Sequence, residues 1–134
     1  MRPVVFLDMD ETLLYYSVPD NVIVRPGAKE ALRQLSKVAD LWVYSAGYPS
    51  YVRFCMDQSG LMQFIEGIVT IFDFPGPEWI GARRWVLIDD GATSDMKVDT
   101  LTPNGEVILV DAFDAETRCS PLTAYVPAAI QALR

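Results

Sequence analysis

Short apolar runs rich in β-branched and aromatic residues alternate along the chain with segments whose apolar residues recur every three or four positions. The first pattern predicts buried strands and the second amphipathic helices. Residues 3–8 form the first predicted strand. Residues 11–25 hold two apolar pieces around a Pro19-Asp20-Asn21 turn signal, which predicts a hairpin or flap rather than a helix. After Pro26-Gly27, Ala28, Ala31, Leu32, Leu35 and Val38 keep helical spacing, and Pro26 suits an early helical position. Residues 41–44 give a second strand ending at Ser45-Ala46-Gly47. A helix over Pro49–Ser59 should stop at Gly60. Residues 67–72 give a third strand. Residues 85–88 give a fourth, ending at Asp89-Asp90-Gly91, and residues 106–110 a fifth, ending at Asp111. Leu122, Val126, Ala129, Ile130 and Leu133 predict a closing amphipathic helix.

Strands alternating with helices imply an α/β fold, a mostly parallel sheet covered on both faces. Ligands of such sheets bind at the carboxyl ends of the strands. The polar residues expected there are Asp8 and Asp10, Ser45, Asp89 and Asp90, and Asp111. No repeat or linker interrupts the pattern. Phe74-Pro75-Gly76-Pro77 reads as a rigid loop too short to divide domains, so residues 1–134 are expected to form one domain. The insert after the first strand has the size of a flap and leaves no room for a large cap domain.

Composition narrows the chemistry. Half of the residues are hydrophobic (51%), enough for a real core, yet no apolar run approaches the ~20 residues that span a bilayer. The N-terminus does not read as a signal peptide, and Cys55 and Cys119 form no CxxC pair. A reduced, cytoplasmic protein with ordinary buried thiols and no membrane partner is expected. A net charge of −7 argues against extended nucleic acid as a partner. The absence of histidine excludes Ser-His-Asp and Cys-His catalysis, His-ligated zinc and a His general base. Carboxylates must carry any acid/base work.

Asp8 and Asp10 stand at the end of the first strand. Residues i and i+2 of an extended chain point the same way, so both can converge on one spot. Carboxylates that close repel unless a cation or a shared proton joins them. A divalent metal site, a nucleophile with its acid/base partner, or both would explain them. A solvated turn is the plainer alternative. Ser45 alone would serve as a capping serine, Asp89/Asp90 as a turn or helix cap, and Asp95 as a cap or as support for a ligand. Tyr15, Tyr16, Tyr48 and Tyr51 are expected to pack, and Trp79 to pack or line a groove.

The ordered set goes further than any single residue. Asp8-Met9-Asp10-Glu11-Thr12-Leu13 resembles the first motif, DxDx(T/V), of the haloacid dehalogenase-like (HAD) phosphohydrolases. Arg25-Pro26-Gly27, Val43-Tyr44-Ser45-Ala46-Gly47 with Tyr51 behind it, and Val86-Leu87-Ile88-Asp89-Asp90 follow in the order seen in their FCP/SCP (NLI-interacting factor-like) branch. That branch acts on the C-terminal domain of RNA polymerase II. The resemblance covers roughly residues 3–95. It implies a Rossmann-like core of about five parallel strands, in the order fifth-fourth-first-second-third. It also implies Mg²⁺, an aspartyl-phosphate formed on Asp8, and acid/base work by Asp10. Metal ligands would be Asp8, the Asp10 carbonyl and Asp90, with Asp89 in support. Ser45, with the backbone of Ala46 and Gly47, would hold phosphate oxygens.

The family's third motif supplies a lysine upstream of the acidic pair, and none lies between Thr70 and Asp89. Arg83 and Arg84 are the only cations there and become candidates for phosphate binding, while Lys29 or Lys97 would have to come from elsewhere. The resemblance implies a Mg²⁺-dependent phosphomonoester phosphatase acting on a phosphorylated protein or small molecule. A nucleotide or polynucleotide-end phosphatase on the same scaffold, or a catalytically weak phosphate-binding protein, are the alternatives. Natural substrate and oligomeric state are not legible.

Overall fold

Val4, Val5, Phe6 and Leu7 offer no polar side chain to either face of a sheet, and all four are fully buried. They form β1 (Val4–Leu7), the central strand, in a computed structural model that describes residues 1–134 except 19, 20, 115 and 117. The sheet has five strands, ordered β5 (Gly67–Thr70), β4 (Asp40–Ser45), β1, β6 (Trp85–Asp89) and β7 (Gly105–Leu109). Every pairing is parallel. The architecture is the expected Rossmann-like one, with the five strands in the expected order. Leu7 pairs with Val43 on one side and Ile88 on the other, so Asp8, Ser45 and Asp89 arrive at the same edge.

Between β1 and β4 come an antiparallel hairpin, β2 (Leu14–Ser17) with β3 (Asn21–Val24), and α1 (Ala28–Leu35). The hairpin is the expected flap. The Pro19-Asp20 part of its turn signal lies outside the described residues. Pro26 stands before the helix, because Gly27 takes the cap position in a left-handed conformation (φ 77°). The helix ends at Leu35, so Val38, counted in its periodicity, falls past it and is exposed. α2 (Pro49–Ser59) ends at a left-handed Gly60 as expected. The chain continues through α3 (Ser94–Val98) and closes with α4 (Val126–Ala132).

Alternate residues of the strands serve two different cores. Val5, Leu7, Val43, Val86 and Ile88 meet the aliphatic faces of α1, α2 and α4. Val4, Phe6, Tyr44, Trp85 and Leu87 face the other way, into a cluster with Trp42, Phe74, Trp79, Val98 and Leu101. There the rings of Tyr44 and Phe74 stack 4.9 Å apart and Trp42 meets Trp79 edge-on at 4.7 Å. Two glycines make room for this packing. Trp42 pairs across the sheet with Gly67 and Trp85 with Gly105, and a Cβ would lie 2.6 Å and 2.0 Å from the respective rings. Trp79 is therefore a packing residue of this cluster.

The flap is tied at its base. The Arg25 amide donates to the Leu13 carbonyl (2.9 Å). Its fully buried guanidinium donates to the carbonyls of Thr12, Asp111 and Ser120 and pairs with the Asp111 carboxylate. Asp111, one of the strand-end polar groups, is thus bound to the flap base. Among the described residues no helix is long and apolar enough to cross a membrane.

Candidate active site

The Asp8 amide still bonds the Ile88 carbonyl of β6 (2.9 Å), and the chain turns just beyond it. The amides of Thr12, Leu13 and Leu14 all donate to the Met9 carbonyl, and Glu11 adopts φ 62°, a left-handed value uncommon for a residue with a side chain. Met9 is buried, and Asp8, Asp10 and Glu11 line a cleft of about 280 Å³ with Ser45, Ala46, Gly47, Asp90, Ala92 and Thr93. Asp8 and Asp10 both line this cleft, at the end of β1.

Asp8 is nearly fully buried, and both of its oxygens accept a hydrogen bond. Thr12 Oγ1 donates to Oδ2 (2.8 Å) and Lys97 Nζ to Oδ1 (2.8 Å). Thr12 Oγ1 also accepts the Asp90 amide (3.1 Å), so one hydroxyl links the first motif to the acidic pair. Lys97 is fully buried and donates a second bond to Asp89 Oδ2 (2.7 Å), whose Oδ1 accepts the Gly91 amide (2.8 Å). An unpaired ammonium would not survive such burial. Burial works to lower the Lys97 pKa, but Asp8 and Asp89 outweigh it, and the ammonium is held above its ordinary value. Burial pushes the Asp8 carboxyl up to about 7, Lys97 opposing and Asp89 adding to the rise.

Carboxylate oxygens of Asp8, Asp89 and Asp90 lie within 4.8 Å of one another. A set of oxygen donors with no nitrogen or sulfur suits a hard divalent cation. Asp90 is raised from its ordinary value, first by burial and also by Asp89. Asp10 is raised by burial, against a pull downward from the Tyr51 hydroxyl, which donates to Oδ1 (2.7 Å). Tyr51 packs against Tyr16 of the flap as expected and does more, its hydroxyl reaching the cleft. The buried Ser45 Oγ accepts the Gly47 amide (3.0 Å).

Arg83 and Arg84 are not brought to the cleft. They precede β6, at its amino end, whereas Asp89 closes the carboxyl end. Arg83 donates to the carbonyls of Trp79 and Ile80, and Arg84 to the carbonyl of Ala132. A five-residue strand rises roughly 16 Å, farther than an arginine reaches back along it. Asp95 is exposed on the first turn of α3. The cation beside Asp8 is Lys97, eight residues beyond Asp89 rather than upstream of it. Thr12 and the Tyr51 hydroxyl are the other contributors that motif reading leaves without a task.

The fold, with its cluster of carboxylates at one edge of the sheet, is similar to that of solved haloacid dehalogenase-like hydrolases. The family model that matches, over residues 3–68, is described as NLI interacting factor-like phosphatase. No curated protein matches the sequence. A haloacid dehalogenase-like family hydrolase from Xanthomonas campestris is 14% identical, with a TM-score of 0.65 over 98% of this chain and 96% of that one. A HAD-superfamily hydrolase from Ehrlichia chaffeensis is 13% identical, with a TM-score of 0.64 over 99% and 98%. The fission yeast RNA polymerase II CTD phosphatase Fcp1, bound to beryllium fluoride, is 15% identical, with a TM-score of 0.60 over 98% of this chain and 50% of that one. Identities this low speak for the fold.

Proposed function

We propose that the chain is a Mg²⁺-dependent phosphomonoester phosphatase that passes its phosphoryl group through Asp8. The observation that carries this reading is the buried Lys97 bonded to Asp8 inside the carboxylate cluster. A site that only binds phosphate has no need of a buried carboxylate held between a hydroxyl and an ammonium.

Asp8, Asp90 and the Asp10 carbonyl would hold Mg²⁺, with Asp89 fixing Lys97 beside them. Bound there, the metal would screen the repulsion between the Asp8 carboxylate and the substrate phosphate. Thr12 and Lys97 each use one lone pair of Asp8 and leave each oxygen another for attack or ligation. An Asp8 oxygen attacks phosphorus while Asp10 gives its proton to the leaving oxygen. Burial raises the Asp10 pKa, which favours the protonated form that this step needs. Water then attacks phosphorus, Asp10 takes its proton, and inorganic phosphate leaves Asp8 free. Tyr51 engages one Asp10 oxygen and leaves the other for proton transfer. Ser45 and the amides beside it hold phosphate oxygens.

The cleft opens beside a two-strand flap, which suits a phosphate presented on a protein or another large substrate. Phosphate release from p-nitrophenyl phosphate, with Mg²⁺ and with a chelator, tests the mechanism. Turnover should need Mg²⁺ and vanish in Asp8→Asn. Full activity in Asp8→Asn overturns the reading.

A further inference from the structure

Lys97 reaches its two carboxylates from a helix of only five residues. So short a helix has no stability of its own in water. Its side-chain end is held by Asp8 and Asp89, and its backbone end is held separately. Thr100 Oγ1 bonds the Lys97 carbonyl (2.6 Å) and the Tyr44 phenol oxygen (2.8 Å). A carbonyl only accepts, so the single proton of the Thr100 hydroxyl goes to Lys97. The phenol is therefore the donor to Thr100.

Tyr44 is well placed to act as a fixed point. It is fully buried on β4, one residue before Ser45. Its ring lies flat on Phe74 (interplanar angle 3°) and edge-on to Phe6 at 5.8 Å. Rotation of the phenol would break both contacts. We propose that Tyr44 and Thr100 are positioning residues that set Lys97 against Asp8, through the chain Tyr44 hydroxyl, Thr100 hydroxyl, Lys97 carbonyl. One strand then places both the phosphate-facing hydroxyl of Ser45 and, through this relay, the cation. Neither Tyr44 nor Thr100 touches the reacting atoms. The catalytic consequence rests on the phosphatase reading; the tether itself does not.

Tyr44→Phe keeps the ring and removes one oxygen, and Thr100→Val tests the same link from a less buried position. Two measurements apply to each: kcat and KM for p-nitrophenyl phosphate at saturating Mg²⁺, and amide hydrogen exchange over residues 94–100. Each change should lower kcat about tenfold, in line with the cost of small misplacements of catalytic groups. KM should move less than twofold, and exchange over α3 should quicken. In a Lys97→Met background, Tyr44→Phe should change kcat less than twofold, because the group it positions is gone. Unchanged kcat and exchange overturn the proposal, as does a loss that adds in full to that of Lys97→Met. Should the unaltered chain not turn over aryl phosphate at all, the phosphatase reading falls. Exchange then decides the tether alone: faster exchange in both variants supports it, and unchanged exchange overturns it.

Discussion

The two faces of the sheet are covered by different means and serve the cleft differently. One face lies under α1, α2 and α4, through aliphatic side chains such as Leu32, Leu35, Val52 and Val126. The other lies under stacked rings and the five-residue α3, with Phe6, Trp42, Tyr44, Phe74 and Trp79 in mutual contact. The helical face lends the cleft a phenol, Tyr51 of α2, which touches Asp10. The aromatic face lends it the buried cation, Lys97. Three helices share the load on the first side, so a local fault there can relax locally. On the second side the rings interlock with the short helix. A fault there has a direct path to Lys97.

The largest expected effect removes the second face's contribution outright. Lys97→Met should lower kcat on the order of 10²–10³-fold, comparable to losing a principal electrostatic donor. In Mg²⁺-free protein it should also cost about 3–5 kcal/mol by denaturant titration, since Asp8 and Asp89 stay buried without their partner. Near-normal turnover would mean that the cation of the second face is structural only.

A pair of core substitutions tests whether the faces differ in reach. Leu32→Ala, on the helical face, should cost about 2–5 kcal/mol and leave kcat of the folded protein unchanged. Gly105→Ala drives a methyl to 2.0 Å from the Trp85 ring and should cost about 1–3 kcal/mol. It should lower kcat several-fold as well, because Trp85 and Val98 share one cluster. Equal kcat effects from the two variants would erase the distinction drawn between the faces.

Asp8 sits at the seam, and pH probes it. Its folded carboxyl is raised from an ordinary value of about 4 to about 7, so between those values the folded state holds a proton that the unfolded state has lost. Stability of the Mg²⁺-free protein is therefore fully expressed below the lower value and declines as pH rises toward the upper one. The slope for one such group is no more than about 1.4 kcal/mol per pH unit. Asp10 and Asp90 are raised too and act in the same direction. Thermal midpoints without Mg²⁺ should fall over this window, and added Mg²⁺ should flatten the trend.

The smallest effect belongs to the helical face. Tyr51→Phe removes one hydrogen bond, worth about 1 kcal/mol. It should reduce kcat only a few-fold and lower the thermal midpoint by about 3–5 °C. A loss as deep as that of Lys97→Met would reverse the ranking of the two faces.

The strands, the flap and the span of α2 were legible because their signals are local: apolar runs, a turn between apolar pieces, a helix ended by glycine; the order of the strands came only with the family resemblance. The edge that carries Asp8, Asp10, Ser45 and the acidic pair was equally open to reading, since parallel strands bring their ends together wherever they sit in the chain. Lys97 was named as an outside substitute but could not be chosen. Five residues show no helical period, and its partner Asp8 is 89 positions away. Arg83 and Arg84 were attractive for their nearness to the acidic pair in sequence. Yet residues that enter a strand stand a full strand length from those that leave it, a limit that parallel geometry already contained. The Tyr51 hydroxyl was missed because a tyrosine at helical spacing satisfies packing with its ring and gives no sign of its oxygen's partner.

The clasp at the base of the flap carries a consequence of another kind. The chain departs after Leu13 and returns at Arg25, and those two residues are hydrogen-bonded to each other. The Arg25 guanidinium adds bonds to the carbonyls of Thr12, Asp111 and Ser120, so the clasp does not rest on the Leu13 bond alone. The strands β2 and β3 spring from this closed base, with Leu14 and Val24 paired just beyond it. A doubling of that excursion adds only about 0.6 kcal/mol of closure entropy. Length added beyond Ser17 and Asn21 is therefore cheap in closure, while Leu14 and Val24 stay paired and packed where the excursion meets the core.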